Sequence, residues 1–268
     1  MKLPSATSGR SAMEVARACG ALADGIIRAA FAEARAISIK GNRNIVTETD
    51  VAVERAVKAL LQQEFPEHTL LAEETAGESR SEGWLWVCDP VDGTKNFAQG
   101  IPHFAFSLAL CLAGVPQLGV ITHPLLGWEF RAELGGGCWL NDRPVQVSGR
   151  GGLAESVVAI DLGFEDGPGR TQLELSHALW THVQGIRTSG SAALGFAYVA
   201  AGKWDAYVHP TLSPWDSAAG IILVEEAGGV VTDRIGARAT IWSEWVVAAT
   251  PAVHTELLPL AGPAPVRA

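Results

Sequence analysis

The spacing of apolar residues predicts two helices in the first part of the chain. From residue 11 to about residue 36, apolar side chains recur every three or four positions, as they do on one face of an amphipathic helix. A turn-rich extended segment follows, and a second helical run then begins near Asp50 and ends before Pro66. Thr49 or Asp50 is the expected N-cap of this second helix, because both side chains can accept a hydrogen bond from a free backbone N–H group.

Short apolar runs beyond the second helix are typical of strands. Residues 69–75 and 84–88 are each predicted to form a strand that leads into acidic residues. Residues 104–112 and 118–122 are joined by Ala-Gly-Val-Pro, which predicts an antiparallel hairpin. Two further short strands are expected to continue this sheet, at residues 128–132 and 138–140. The first half is therefore expected to contain helices packed on a mostly antiparallel sheet.

The pattern changes at the glycine-rich residues 148–152. Beyond them predicted strands and helices alternate up to a last helix after Pro251, which indicates an α/β layer. The strands are expected at 157–161, 186–188, 206–208, 230–232 and 245–249, and the other helices at 170–183, 192–201 and 215–227. The expected fold class is α/β (α+β), with an α+β half over residues 1–150 and an α/β half over residues 151–268. A site is expected between the halves, where ligand pockets commonly lie.

Composition narrows the classes of function. Of the 268 residues, 48% are hydrophobic and 18% are charged, as in a globular protein with one large or two compact domains. The net charge of −9 argues against nucleic acid or an anionic membrane as a partner, because both attract basic surfaces. No apolar run reaches the ~18 residues of a membrane span, and the N-terminus has no apolar signal region. The four widely spaced cysteines favour reduced core residues in a cytoplasmic protein.

The strongest candidate chemistry lies where the predicted strand 84–88 ends. Asp89 and Asp92 follow it directly, and Gly93 and Thr94 come next. Hard divalent cations prefer carboxylate oxygens, and phosphate binds backbone N–H groups at tight glycine turns and helix starts. Taken alone, the segment is explained about as well by a turn in which both aspartates accept hydrogen bonds from local N–H groups as by a metal and phosphate site.

Further acids favour the metal-binding hypothesis. Glu73 and Glu74 end another predicted strand, whose alternation lets only one of them face a site. Asp216 and Asp50 lie at predicted helix starts, where capping and the helix dipole also favour acids. Together with the two aspartates after strand 84–88, these acids provide roughly the number of carboxylates that two divalent cations about 3.5–4 Å apart need. No His or Cys has zinc-ligand spacing, so the oxygen set favours Mg²⁺, with Mn²⁺ as a substitute.

Taken jointly, these segments resemble the inositol monophosphatase family of magnesium-dependent, lithium-sensitive phosphatases, over about residues 11–255. The matching motifs are Asn44-Ile-Val-Thr-Glu-Thr-Asp50, Leu71-Ala-Glu-Glu74, Asp89-Pro-Val-Asp-Gly-Thr94 with Asn96-Phe97, Gly190-Ser-Ala-Ala193 and Pro214-Trp-Asp-Ser-Ala-Ala-Gly220. The resemblance implies a layered αβαβα sandwich that is usually a homodimer. It also implies a phosphatase of small phosphorylated substrates that binds two or three Mg²⁺ per site.

The resemblance also implies a role for each residue of the motifs. The metal ligands would be Glu73, Asp89, Asp92, Asp216 and the carbonyl oxygen of Val91. Glu73 would also hold the metal that activates the attacking water, which Thr94, paired with Asp50, would orient or deprotonate. The N–H groups of Gly93 and Thr94 would hold the phosphate. The alcohol side of the pocket would be lined by Gly190, Ser191 and Ala192.

Two positions depart from the pattern of inositol phosphatases and leave the substrate open. His209 replaces a Glu that binds a substrate hydroxyl, and an imidazole brings no fixed negative charge. Lys95 lies at a position that is often Thr in inositol phosphatases. A Lys here is more similar to the sequences of histidinol-phosphate phosphatases or nucleotide 3′-phosphatases. Both residues are candidate substrate contacts. His103 and His123 are expected to be structural, and the segment Asp161-Leu-Gly163 matches the family's further contact too weakly to be assigned.

Three functions follow as hypotheses. The first is a Mg²⁺-dependent phosphomonoesterase acting on inositol monophosphate or a similar small polyol or sugar phosphate. The second uses the same site on histidinol phosphate or fructose 1,6-bisphosphate. The third is a non-catalytic regulatory or binding paralogue that keeps the fold, although such a protein has no need of the paired Thr94 and Asp50.

Overall fold

A computed structural model of the chain describes residues 3–32, 37–41, 44–75 and 82–261. Within these residues the helices are α1 (Ala12–Phe31), α2 (Glu48–Glu64), α3 (Thr94–Ala98), α4 (Asp166–Leu179), α5 (Ala192–Ala200), α6 (Pro214–Glu226) and α7 (Pro251–Ala261). The strands are β1 (Ile37–Gly41), β2 (Asn44–Thr47), β3 (Thr69–Ala72), β4 (Trp84–Asp92), β5 (Ala105–Leu112), β6 (Val115–His123), β7 (Trp128–Glu133), β8 (Cys138–Leu140), β9 (Arg143–Val145), β10 (Val157–Ile160), β11 (Gly185–Arg187), β12 (Ala206–His209), β13 (Val230–Thr232) and β14 (Val246–Ala249).

The first two helices begin at capping boxes, and one of them corrects the sequence prediction. In α1, Ser11 is the N-cap and exchanges hydrogen bonds with Glu14. The prediction that Thr49 or Asp50 caps α2 was wrong, because the N-cap is Thr47 and Asp50 is the third helical residue. The Thr47 N–H donates to Asp50 Oδ2 at 2.9 Å, so this buried carboxylate closes the box from inside the helix. Of the predicted first helix, residues 33–36 lie outside the described part.

The larger sheet confirms the prediction for the first half. Its seven strands lie in the order β3-β4-β5-β6-β7-β8-β9, and every pair is antiparallel except β3 with β4. The second sheet has five strands in the order β11-β10-β12-β14-β13. In it β10 pairs in parallel with β11 and β12, whereas β14 pairs in antiparallel with β12 and β13. The second half is thus an α/β layer with a mixed sheet.

Helices separate and cover the two sheets. Helices α1 and α2 pack on the outer face of the seven-stranded sheet, and α4 and α7 pack on the outer face of the five-stranded sheet. Helices α5 and α6 lie between the sheets, and their apolar side chains share one core with both. The fold is therefore a layered αβαβα sandwich. The four cysteines are buried and form no disulfide. No helix in the described ranges is long and apolar enough to cross a lipid bilayer.

Strand β4 continues to Asp92, beyond the predicted end at residue 88, and carries a one-residue bulge at its end. Asp89 pairs with Ser107 and Asp92 pairs with Ala105, so three steps along β4 match two steps along β5. Residues three apart in a regular strand face opposite sides of the sheet. The extra residue returns Asp92 to the side that Asp89 faces. Pro90 fits at the bulge because it has no N–H group that would need an acceptor in the neighbouring strand.

Candidate active site

Three aspartates converge at the end of β4. Carboxylate oxygens of Asp89, Asp92 and Asp216 all lie within 4.8 Å of one another. The bulge in β4 supplies the first two, and the first turn of α6 supplies the third. Asp216 closes the capping box of α6, where its Oδ2 accepts the Ser213 N–H at 2.6 Å. Asp89 and Asp92 are only 2% and 5% exposed.

Burial and mutual repulsion raise the pKa values of these acids. Burial is the largest cause for Asp89, and the neighbouring charge of Glu73 adds to it, so its pKa lies well above the ordinary range. Burial, with the charge of Asp92 beside it, does the same to the pKa of Asp216. The pKa of Asp92 is raised by burial to about 6, although hydrogen bonds from Ser191 and Ala193 oppose the rise. Buried, crowded carboxylates of this kind suit a hard divalent cation, which supplies the missing positive charge.

Glu73 lines the same cavity, and Glu74 does not. This agrees with the expectation that only one of the two glutamates can face the site. The turn that carries them is held from α2, because Glu54 Oε2 accepts the Glu74 N–H at 2.8 Å. Glu54 is 3% exposed and is not among the site residues predicted from the sequence. The available signal was a second acid one helical turn after Asp50.

Thr94 and Asp50 form a pair beside the three aspartates. Thr94 Oγ1 lies 3.1 Å from Asp50 Oδ1 and 3.0 Å from the carbonyl oxygen of Val91. The other oxygen of Asp50 accepts both the N–H and the hydroxyl of Thr47. Asp50 is fully buried, which raises its pKa against these hydrogen bonds. It does not line the cavity, so it reaches the site only through Thr94.

The start of α5 binds Asp92 from the second half of the chain. The Ser191 hydroxyl donates to Asp92 Oδ2, and the N–H groups of Ala192 and Ala193 donate to the two carboxylate oxygens at 3.0 Å each. Gly190, just before this N-cap, has a φ of +68°, which only glycine adopts readily. The turn before α5 thus lies directly against the acidic cluster.

All but one of the predicted site residues line a single cavity of about 550 Å³. The members are Glu73, Asp89, Val91, Asp92, Gly93, Thr94, Lys95, Gly190, Ser191, Ala192, His209 and Asp216, and Asp50 is the exception. His209 is neutral, because burial lowers its pKa to about 3. Its Nδ1 accepts the Thr211 N–H at 3.2 Å. Lys95 Nζ lies 4.2 Å from the ring centroid of Phe164, which also lines the cavity.

Asp161, which has no assigned role among the predicted site residues, also lines this cavity. It is 5% exposed and accepts hydrogen bonds from Ser189, Gly190 and Tyr207. The signal in the sequence was the one that marked Asp89, an acid immediately after an apolar strand. His103 was predicted to be structural, and its Nε2 lies 3.1 Å from Ser189 Oγ.

Comparison with known proteins places these features in a family. A family model described as the inositol monophosphatase family matches residues 10–262. Nus factor SuhB of Pseudomonas aeruginosa is 38% identical over 218 residues, which cover 79% of this chain and 80% of that protein. The fructose-1,6-bisphosphatase/inositol-1-monophosphatase of Thermotoga maritima is 37% identical over 218 residues, covering 81% and 82%. The crystal structure of extragenic suppressor protein suhB from Bartonella henselae superposes with a TM-score of 0.88 at 34% identity, covering 93% of this chain and 97% of that one.

Proposed function

The chain belongs to the inositol monophosphatase family, and from that premise we propose that it is a Mg²⁺-dependent phosphomonoesterase acting on inositol monophosphate or a similar small polyol or sugar phosphate. One observation carries the proposal: three clustered aspartates, two of them buried, share a cavity with Thr94, whose hydroxyl is paired with Asp50. Hydrolysis of a phosphomonoester needs positive charge near the phosphoryl oxygens and a nucleophile in line with the leaving group. The cavity brings groups for both tasks together.

The metal ligands that we assign are Glu73, Asp89, Asp92, Asp216 and the carbonyl oxygen of Val91. An all-oxygen set favours Mg²⁺, with Mn²⁺ as a substitute. When bound, a divalent cation would supply positive charge to the phosphoryl oxygens and lower the pKa of a water beside it. Two or three cations per site, lithium sensitivity and a homodimer follow from the resemblance, and a cytoplasmic location follows from the cysteines; all of these stay predictions.

Thr94 is the residue to which we assign the orientation of the attacking water. Its hydroxyl donates to Asp50 Oδ1, 3.1 Å away, so its lone pairs remain to accept a hydrogen from water in the cavity. Thr47 occupies the other Asp50 oxygen, which leaves Oδ1 directed to Thr94. The backbone N–H groups of Gly93 and Thr94, at the start of α3, are the donors that we assign to the phosphate.

The other wall of the cavity faces the leaving alcohol. The residues that we assign to this wall are Gly190, Ser191, Ala192 and His209, all of which line the cavity. Because His209 Nδ1 accepts a hydrogen bond, its Nε2 carries the proton and can donate to a substrate oxygen. Lys95 supports a second candidate, because its charge at the cavity suits a second phosphate, as in fructose 1,6-bisphosphate. Histidinol phosphate stays a candidate because a Lys at this position resembles histidinol-phosphate phosphatases. The name of the Thermotoga maritima relative includes a bisphosphatase activity.

A regulatory role without catalysis is the alternative from a different class. The Pseudomonas aeruginosa relative is named a Nus factor, and that name describes the relative. The retained Thr94–Asp50 pair favours catalysis, because binding alone does not require a hydroxyl held in place by a buried carboxylate.

The test is phosphate release with Mg²⁺ from inositol 1-phosphate, histidinol phosphate, fructose 1,6-bisphosphate and a nucleotide 3′,5′-bisphosphate. We expect Thr94→Val to lower kcat about 100-fold or more, because it removes the hydroxyl and keeps the side-chain shape. Thr122→Val is the matched control, since Thr122 donates to the buried Asp24 away from the cavity. Release from none of the four esters, with metal bound to the wild type, would favour the binding paralogue. Unchanged turnover in Thr94→Val would reject the role of Thr94.

A further inference from the structure

We propose that Asp161 is a positioning residue that fixes the alcohol-facing wall of the cavity by holding the turn Ser189–Ser191, which we call the 189–191 turn. The proposal rests on the proposed function, because that function places the substrate alcohol against this turn. Asp161 follows β10 in the five-stranded sheet, and its N–H donates to the Val208 carbonyl at 3.1 Å, which ties it to β12.

The carboxylate of Asp161 accepts three hydrogen bonds. Oδ1 accepts the N–H groups of Ser189 and Gly190, each at 2.9 Å, and Oδ2 accepts the Tyr207 hydroxyl at 2.9 Å. Tyr207 is fully buried in β12, so its hydroxyl holds the carboxylate in one orientation. Hydrogen bonds to a carboxylate are stronger than those between neutral groups, and the buried Ser189 would lose the acceptor of its N–H at a cost in stability.

The 189–191 turn is also held from the first half of the chain. The Asn96 amide nitrogen lies 3.2 Å from the Ser189 carbonyl oxygen and 3.3 Å from that of Gly190. His103 Nε2 lies 3.1 Å from Ser189 Oγ. Asp161 therefore fixes the 189–191 turn from the five-stranded sheet. Asn96 in α3 and His103 before β5 contact the same turn from the first half of the chain.

The turn leads directly into the groups that contact Asp92. Ser191 and Ala192 each donate to that carboxylate and also line the cavity. A shift of the Ser189 and Gly190 peptides would move the wall that faces the substrate alcohol before it disturbed the rest of α5. We assign Asp161 no contact with the reacting phosphate, because a carboxylate repels a negatively charged phosphate.

Another buried carboxylate offers a matched control. Asp205 is also 5% exposed and accepts the Val157 N–H at 2.7 Å and the Ser148 hydroxyl. It lies before β12 in the same half of the chain and does not line the cavity. Loss of Asp205 removes the same kind of hydrogen bond without touching the 189–191 turn.

The first experiment measures amide hydrogen exchange of the peptide 186–194 in the full-length protein, without substrate. We expect Asp161→Ala to speed exchange of the Ser189 and Gly190 amides about tenfold, because both lose a charged acceptor. Asp161→Asn should keep them protected, since its Oδ1 can still accept both N–H groups. Tyr207→Phe, a milder change should Asp161→Ala fail to fold, should speed exchange less. Asp205→Ala should leave this peptide unchanged.

The second experiment compares KM values for inositol 1-phosphate and for p-nitrophenyl phosphate, whose leaving group carries no further hydroxyls. Asp161→Ala should raise KM for the first about tenfold, with less than a twofold change for the second and a smaller effect on kcat. Asp161→Asn should restore KM for inositol 1-phosphate to near the wild-type value.

Unchanged exchange in folded Asp161→Ala, or faster exchange of this peptide in Asp205→Ala as well, would overturn the proposal. An equal rise in KM for both esters would also overturn it. If the wild type hydrolysed no ester, the proposed function would fail, and the exchange comparison would still decide whether Asp161 holds the turn.

Discussion

Burial and charge conflict at Asp89. It is 2% exposed, and the charge of Glu73 adds to the cost of burying it, so its pKa is well above the ordinary 3.8. A carboxylate whose folded pKa is raised stabilises the fold fully only below its unfolded pKa, and that contribution is lost as pH rises through the folded pKa. Without a cation, Asp89 therefore lowers the stability of the folded protein at neutral pH.

We expect Asp89→Asn to make the metal-free protein more stable at pH 7.5, by on the order of 1–3 kcal/mol. The amide is neutral at every pH, and its oxygen can still accept the Val91 N–H, which lies 3.0 Å from Asp89 Oδ1. The advantage should shrink as pH falls through the raised pKa, because the wild-type carboxyl then binds a proton. Thermal unfolding in chelator at several pH values measures the difference between the two proteins.

The buried histidines do not affect the difference in stability between the wild type and Asp89→Asn. Burial lowers the pKa of His209 to about 3 and that of His123 to about 4, so their contribution to stability is present at high pH and lost as pH falls below the unfolded value of 6.5. Both histidines are present in wild type and variant alike. Asp205→Asn should show no stabilisation at pH 7.5. A less stable Asp89→Asn at that pH would contradict the account of the site.

The acids were predictable because each follows a strand or starts a helix, where side chains face a crevice. Asp161 carried the same local signal, but its partners Ser189 and Tyr207 lie 28 and 46 residues away, and no local pattern encodes them. The N-cap of α2 was missed because Thr47 and Thr49 are equally good caps in sequence. Only the packing of the helix separates them.

At the scale of elements, the close contact of α6 with β6 determines how near the first turn of α6 comes to the bulge of β4. Gly119 in β6 has no side chain where α6 crosses it. A Cβ there would lie 2.9 Å from both Cα and the carbonyl oxygen of Ala219. Both α6 and β6 were predicted from the sequence, but a single glycine in a strand does not indicate which helix packs on it.

We expect Gly119→Ala to destabilise the protein by about 1–3 kcal/mol, because the contacted atoms belong to the backbone of α6 and cannot rotate away. Gly25→Ala is the control, since Gly25 lies exposed in α1 with no atom within 4 Å of the added carbon. That change should stabilise α1 by up to about 1 kcal/mol. Urea unfolding of both variants gives the comparison, and wild-type stability in Gly119→Ala would show that α6 can move.

At the scale of the whole molecule, the middle layer of helices joins the two sheets. The core around α5 and α6 contains Leu85 and Ile121 from the larger sheet together with Tyr207 and Ala248 from the smaller one. The alternation of elements after residue 150 predicted the second sheet. The shared core could not be predicted, because α5 and the interior of α6 from Ala218 to Val224 contain no charged residue and no face stands out. A boundary near residue 150 stays a prediction.

Because both sheets share this core, we expect the metal-free protein to unfold in one cooperative transition. Tryptophan fluorescence reports on both halves, since four of the nine tryptophans precede residue 150 and five follow it. Its urea transition should coincide with that of far-ultraviolet circular dichroism. Two separate transitions would instead support independent domains that meet at residue 150.

The ligand set that we assign to the metal is drawn from distant parts of the chain. Glu73 and the two aspartates of β4 lie on one side of residue 150, whereas Asp216 lies in α6, which belongs to the middle layer. An ion that needs all of them binds only when that layer is docked on the larger sheet. Its binding energy is then available to the complete fold and to no partly folded state, so the cation concentration sets the stability of the docked arrangement through mass action.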